Sequence, residues 1–325
     1  SSITTLTGSD DDQATARASS GITGLPVGST PNSITISAAQ VASFIANPSS
    51  FSGYSAGSQI IIAGAISHTQ ASALNTVNAS YIQASIAETS IANLSAIVVN
   101  NETRTSLNKF SFVVSDTSAT AVELNTIIAK TSVAIDLTNV VAIEASNSEA
   151  IKTLYTASTA GLGNETISVT DTTINAKDLN DINVYTTGVV NAAAATNIVG
   201  TFPEVFTTYT SNVNVTIVGL GNEAITITAP LTVAQFNSLA AQTTGVITAT
   251  IIEGNIATLD ALTETGHALL INVTDASVAA ASLNALNAKT TASIILTSQT
   301  ITGTAADVNT VYTAGAAGTI TGLGN

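Results

Sequence analysis

A Leu-Asn pair recurs through this chain in the same surroundings each time, and that recurrence restricts the folds open to it. The pair appears as Leu124-Asn125, Leu179-Asn180, Phe236-Asn237 and Leu283-Asn284, with the asparagines 55, 57 and 47 residues apart. In three copies an aspartate stands eight residues before the leucine (Asp116, Asp171, Asp275). In all four a threonine follows six residues after the asparagine (Thr131, Thr186, Thr243, Thr290). Leu74-Asn75 is a weaker fifth copy. Fixed internal spacing over several copies is the signature of a repeat architecture, in which one supersecondary unit buries its apolar face against the next.

A second unit type lies between these copies. Gly200–Asn222 and Gly303–Asn325 share Gly, Thr, Tyr and a Gly-Leu-Gly-Asn end in identical register, with shorter relatives at 143–165 and 5–26. The two types are roughly 21–24 and 34–37 residues long, giving a double repeat near 55–58 with a contracted copy around 246–270. The whole chain, 1–325, reads as one array, less regular over 1–100 and regular over 101–325.

Local chemistry assigns the elements. Runs such as ISV, ITI, FVV and LINV are β-branched with period two, hence strands. An Asp, Ser or Thr directly after a strand is a helix N-cap signal, because its side-chain oxygen accepts from unpaired amides of the first turn. In INAKDLNDI, Ile174, Leu179 and Ile182 share one helical face. Paired strands sit about 4.8 Å apart, whereas packed helices need about 8–10 Å. Helices on every second coil repeat at about 9.6 Å, which matches. The expected fold class is therefore a β-rich α/β repeat protein, a parallel, right-handed β-solenoid with short helices on alternate coils. In the second unit type, PEVFTTYT and AADVNTVYT then lie on another side or give way to a longer loop.

Composition narrows the function. Hydrophobic residues make up 45% of the chain but aromatics only 4%, so the apolar mass is Ala, Val, Ile and Leu, suited to thin layers. Seven basic residues against a net charge of −14 cannot form a phosphate-neutralising track, which argues against nucleic acid and against an anionic membrane surface. No apolar run reaches the eighteen or so residues of a membrane helix. With no cysteine, disulfides, thiolate metal sites and thiol nucleophiles are excluded. The chain starts Ser1-Ser2 without a signal peptide, and both ends fall inside the second unit type with no polar cap. That reads as a segment of a longer array or as ends covered by another copy.

The wording VTDTS..A..LN.L.A.TTG followed by TITGTAADVNTVY…ITGLGNE resembles the Ala/Thr/Asn-rich repeat tracts of very large secreted or cell-surface bacterial proteins, marine cyanobacteria among them. The resemblance covers about two-thirds of the chain. It implies an extracellular or cell-surface location and a structural or adhesive role, and it carries no catalytic residue.

Motifs that could hold chemistry are few. Gly53-Tyr54-Ser55-Ala56-Gly57 matches a nucleophile elbow, but that motif needs a strand before the serine and a helix after it, and here the order is reversed. Gly161-Leu162-Gly163 and Gly219-Leu220-Gly221 lead into strands rather than helices, so they read as turns and not as phosphate loops. Asp116, Asp171 and Asp275 could bind calcium once per double repeat, although helix capping accounts for a single aspartate there. Asp10-Asp11-Asp12 reads as a solvated acidic turn. The repeated asparagines could stack as an amide ladder. The pairs Thr226/Thr228 and Thr300/Thr302 invite an ice-binding reading but do not recur on every coil. Asn101-Glu-Thr and Asn164-Glu-Thr are glycosylation sequons.

The expectation is a non-enzymatic, extracellular structural protein, a self-stacking segment of a surface filament, sheath or adhesin, with no catalytic, cofactor or metal residues. Its partner would be other copies of itself. The alternative is a carbohydrate- or calcium-dependent binding module using a surface polysaccharide, with ice binding and polysaccharide lyase activity behind it.

Overall fold

Period-two runs of β-branched residues become strands in the computed structural model, and a helix follows about half of them. The structure describes residues 33–55, 57–77, 80–99, 107–157, 159–297 and 299–324. The unit at 5–26, the Asp10–Asp12 run and the Asn101 sequon lie outside them. The chain divides into two compact units, one of Ser1–Ile143 with Lys152–Leu162 and one of Glu144–Ile151 with Gly163–Asn325.

In the first unit, β1 (Ser33–Ser37), β2 (Gln59–Ile66), β3 (Ile82–Ile86) and β4 (Lys109–Ser111) form a parallel sheet in chain order. The helices α1 (Val41–Ala46), α2 (His68–Val77) and α3 (Ile91–Ser95) follow β1, β2 and β3. Next come β5 (Ser118–Ala119), α4 (Ala121–Ile128), β6 (Ile135–Asp136), β7 (Ala142–Ser146), α5 (Ser148–Thr156) and β8 (Thr159–Ala160), with β5 parallel to β7 and β6 to β8. β7 and α5 each have residues in both units. Ile60 is the register partner of Ile82 and Ala84 that of Phe110, all four buried on one sheet face.

The second unit begins with β9 (Thr166–Val169), β10 (Thr173–Asn175), α6 (Ala176–Tyr185), β11 (Val190–Asn191), β12 (Asn197–Gly200), α7 (Phe202–Val213) and β13 (Ile217–Val218). It continues with β14 (Ala224–Ile227), α8 (Val233–Ala240), β15 (Ile247–Thr250), α9 (Ile256–Leu259), β16 (Ala268–Val273), β17 (Ser277–Ala279) and α10 (Ala280–Asn287). It ends with β18 (Ile294–Leu296), β19 (Thr300–Thr302), α11 (Ala305–Ala316) and β20 (Ile320–Thr321). One parallel sheet runs β10-β12-β14-β15-β16-β18-β20. Its register stacks Ile174, Ile198, Ile225 and Ile247 in one row and Ile271, Ile294 and Ile320 in another, every one buried. Against them lie the repeat leucines Leu179 and Leu283 and the equivalent Phe236, each 0% exposed and each contributing about 1.5–3 kcal/mol by leaving water.

The expected β-solenoid with helices on alternate coils is corrected by two observations. The described strands fall into five separate parallel sheets rather than continuous ladders. Helices occur in both unit types, so the architecture is α/β with helices interleaved throughout. The physical reason lies at the helix starts of the second type. Thr201 and Glu204 form a capping box at α7, and Thr304 accepts from the Asp307 amide at α11. These caps make twelve-residue helices of segments expected to lie on another side or to give way to a longer loop. The self-stacking filament, with other copies as partner, is corrected as well. Each unit has its own packed apolar core, and its ladders and helix contacts are made within the chain.

What joins successive turns is a set of polar contacts running backwards along the chain. Asp116, Asp171 and Asp275 do cap helices, but not their own. They accept from the first amides of α3 (Ile91, 2.8 Å), α5 (Ser148, 2.7 Å) and α9 (Ile256, 2.7 Å), 19–25 residues upstream. Glu88 and Glu253 do the same for α2 and α8. At the other end, the Lys130 ammonium donates to the Ile97 carbonyl just past α3, and Lys289 to the Asp260 and Leu262 carbonyls past α9. The helices α3 and α9 have only five and four residues, too short to persist alone, and a carboxylate and an ammonium of the next turn hold opposite poles of each.

The repeated threonines are equally structural. Thr131, Thr186, Thr243 and Thr290 are buried, and their hydroxyls donate to the Phe110, Glu165, Glu223 and Leu269 carbonyls of the preceding turn. Each also accepts the amide two residues on. The recurrent asparagines do not stack as a ladder. Asn180, Asn237 and Asn284 each donate to a backbone carbonyl 23–24 residues ahead, of Glu204, Ala261 and Asp307. Asn108 donating to Asn75 is a direct amide-to-amide contact (2.9 Å).

Asn180 also accepts from the Thr208 hydroxyl at 2.9 Å. Replacing Asn180 with Ala removes both links, and chemical denaturation should show a loss of about 1–3 kcal/mol. An unchanged midpoint would show that these links contribute nothing.

Candidate functional site

The motifs singled out in the sequence are engaged in structure. Ser55 sits in a turn ahead of β2, with its amide and hydroxyl both on the Ser58 hydroxyl (2.9 and 3.1 Å). The nearer histidine in sequence, His68, has its Nδ1 on the Glu88 carboxylate at 3.1 Å, and among the described residues neither histidine is hydrogen-bonded to the Ser55 hydroxyl, which lies on Ser58 instead. The Gly-Leu-Gly turns do present amides as a phosphate loop would, but the glutamate that follows fills them. Glu165 accepts from Gly163 and Asn164, and Glu223 from Gly221 and Asn222. Glu223 is buried and takes a further bond from the Tyr209 hydroxyl (2.7 Å); burial, then this carboxylate, raises the Tyr209 phenol above its ordinary range.

Asp116, Asp171 and Asp275 are held at their helix caps on separate turns. Among the described residues no group of three or more His, Asp or Glu could hold a metal ion. Thr226 lies on β14 and Thr300 and Thr302 on β19, in different sheets, so no common threonine plane forms. No described helix is long and apolar enough to cross a membrane.

What remains is a cleft of about 460 Å³ in the second unit, between the end of α8 and the loop that leads into β16. Its lining includes Gly221, Ala240, Gln242, Thr243, Thr244, Glu264, Thr265 and His267. Gly221, Thr243 and Thr244 are bonded to one another across the turn, which fixes one wall. His267 is 8% exposed, packs edge-on against Phe236 with centroids 5.2 Å apart, and accepts the Ile247 amide at Nδ1 (3.0 Å). The neutral ring therefore carries its proton on Nε2, for which the described residues supply no acceptor. Gln242, Glu264 and Thr265 likewise make no side-chain hydrogen bond to any described residue. Four polar groups thus converge with their bonding capacity open: an amide, a carboxylate, a hydroxyl and an imidazole N–H. The volume falls in the range of small-molecule sites, about 300 to 1,000 Å³.

In the sequence His267 is notable only as one of two histidines that could serve a serine as base, and nothing marks Gln242, Glu264 or Thr265. They come from two successive turns and carry no spacing motif. The signal present was the contracted copy at 246–270, which holds both Glu264 and His267.

Burial depresses the His267 imidazole below its ordinary value, and Glu264 nearby pulls weakly the other way. The folded state thus holds this ring neutral more strongly than the unfolded chain does. Stability from this group is full above the unfolded histidine value, about 6.5, and is lost as pH falls below it toward the lower folded value. Urea midpoints measured between pH 7.5 and 5.5 should fall for the parent chain and fall less for His267→Gln. Equal slopes would show that the ring is not held neutral.

No protein-family model matches the chain, and no curated protein or solved structure shows significant similarity to it.

Proposed function

We propose that this chain is a non-catalytic binding domain that takes a small polyhydroxylated ligand, such as a sugar unit, in the cleft of Gln242, Glu264, Thr265 and His267. The observation that carries this reading is the convergence of unpaired donors and acceptors on one preformed hollow. A carboxylate accepts from two adjacent hydroxyls, an imidazole N–H donates to a ring or hydroxyl oxygen, and amide and hydroxyl groups do both. The groups are neutral but for Glu264, which favours an uncharged, donor-rich partner over an anion.

Binding rather than catalysis is favoured by what accompanies Glu264. Glycoside hydrolysis uses a pair of carboxyl groups flanking the bond. The nearby Glu223 is buried, with its oxygens on turn amides and on Tyr209, which leaves one free carboxylate in the cleft. An oxyanion pocket beside an activated nucleophile has no counterpart among the lining residues either. We place the protein at a cell surface or outside the cell, on the resemblance of its repeats to secreted and surface tracts; the absence of cysteine is compatible with either side of the membrane.

Calorimetric titration with a panel of neutral mono- and disaccharides tests the proposal. At least one should bind saturably, and Glu264→Gln should weaken it by roughly tenfold through loss of charge-assisted bonds. Melting at neutral pH should be nearly unchanged, because Glu264 is exposed and makes no hydrogen bond to any described residue. Absence of saturable binding, or binding indifferent to Glu264→Gln and Gln242→Ala, would contradict it.

A further inference from the structure

We infer a second ligand site, independent of the first, on the outer face of the four-stranded sheet in the first unit, for a carboxylate-bearing sugar such as a uronic acid unit. The case begins with the cations. Lys130 and Lys289 donate to backbone carbonyls and Lys177 pairs with Asp181 at 2.6 Å. Lys109 differs. Its ammonium lies 4.6 Å from the centre of the Tyr81 ring and meets no acceptor oxygen among the described residues. The ring itself is fixed, because its hydroxyl donates to Gln59.

The strand register then gathers polar side chains around this ammonium. Gln83 stands opposite Lys109 and Ser85 opposite Ser111 on paired strands, all four on the exposed face. The alternate residues Ile82, Ala84 and Phe110 are buried beneath, which pins the strands. Gln83, Ser85 and Ser111 make no side-chain hydrogen bond to any described residue. Between them lies a hollow of about 410 Å³, walled by Ile62 and Val133. Groups carried on strands hold their spacing better than groups on loops.

The chemistry of the hollow selects its occupant. An ammonium without a counter-ion calls for an anion. Two hydroxyls and an amide beside it call for a partner with several hydroxyls. The described lining of the hollow holds no aromatic ring, and the adjacent Tyr81 face is covered by Lys109, so among the described residues a stacking planar ligand has no platform. A carboxylated sugar ring meets all three conditions. On a chain of net charge −14, a lysine that pairs with no described acidic group is a place where a carboxylate is attracted.

The test is calorimetric titration of the full chain with a short oligogalacturonate and with its methyl ester, which removes only the charge. The acid form should bind saturably and the ester more weakly by roughly tenfold or more. Lys109→Gln should abolish that difference, Lys109→Arg should keep it, and Glu264→Gln should leave it untouched. Equal binding of acid and ester, no saturable binding of either, or a preference that survives Lys109→Gln and responds to Glu264→Gln would each overturn the assignment.

Discussion

Successive turns of this chain are held together by carboxylates that cap the helix before their own. A helix of four or five residues does not stand in water, because the cost of nucleating it exceeds what so few backbone bonds return. Here Asp116 and Asp275 supply an acceptor to the first amide of α3 and α9, while Lys130 and Lys289 supply a donor at the far end. The buried threonine hydroxyls add a third link from each turn to the preceding backbone. Each turn is therefore completed only when the next has folded on it. Apolar stacking of the isoleucine rows supplies most of the burial free energy, and the polar links determine which turn lies on which.

That backward logic explains which parts of the fold were readable from sequence. The Leu-Asn-Thr register was visible, and it marks buried leucines, bridging asparagines and stapling threonines in the structure. Strand positions followed from β-branched alternation. The aspartates were read correctly as capping residues, yet the helix they cap lies 19–25 residues upstream, a distance no local pattern records. The helices of the second unit type were readable in principle, since Thr201 with Glu204 is a capping box; the assumption that helices must skip every other turn hid them. The division of the strands into five sheets depends on where two- and three-residue ladders break, and nothing in the composition fixes that.

The candidate sites were beyond linear reading for a related reason. Most charged and amide side chains here are engaged with backbone: in capping boxes, in backward caps, or in the Gly-Leu-Gly-Asn-Glu turn, where the glutamate fills its own amide nest. Several polar side chains lining the two hollows are without such engagement among the described residues. Gln242, Glu264, Thr265 and the His267 Nε2–H in one unit, and Lys109 with Gln83, Ser85 and Ser111 in the other, have no such engagement. Neither group forms a sequence motif, because each is assembled from adjacent turns some twenty residues apart. The two hollows differ in charge, one lined by a carboxylate and one by an ammonium.

The most direct test of backward capping is native-state hydrogen exchange on Asp275→Ala. The amides of α9 and the residues just after it, in the turn before the substitution, should lose protection by up to roughly tenfold, the scale of a lost helix cap. Those of α10, in the turn that carries Asp275, should keep theirs. Loss confined to α10 with α9 unchanged would mean that the aspartate stabilises its own helix and does not join the turns.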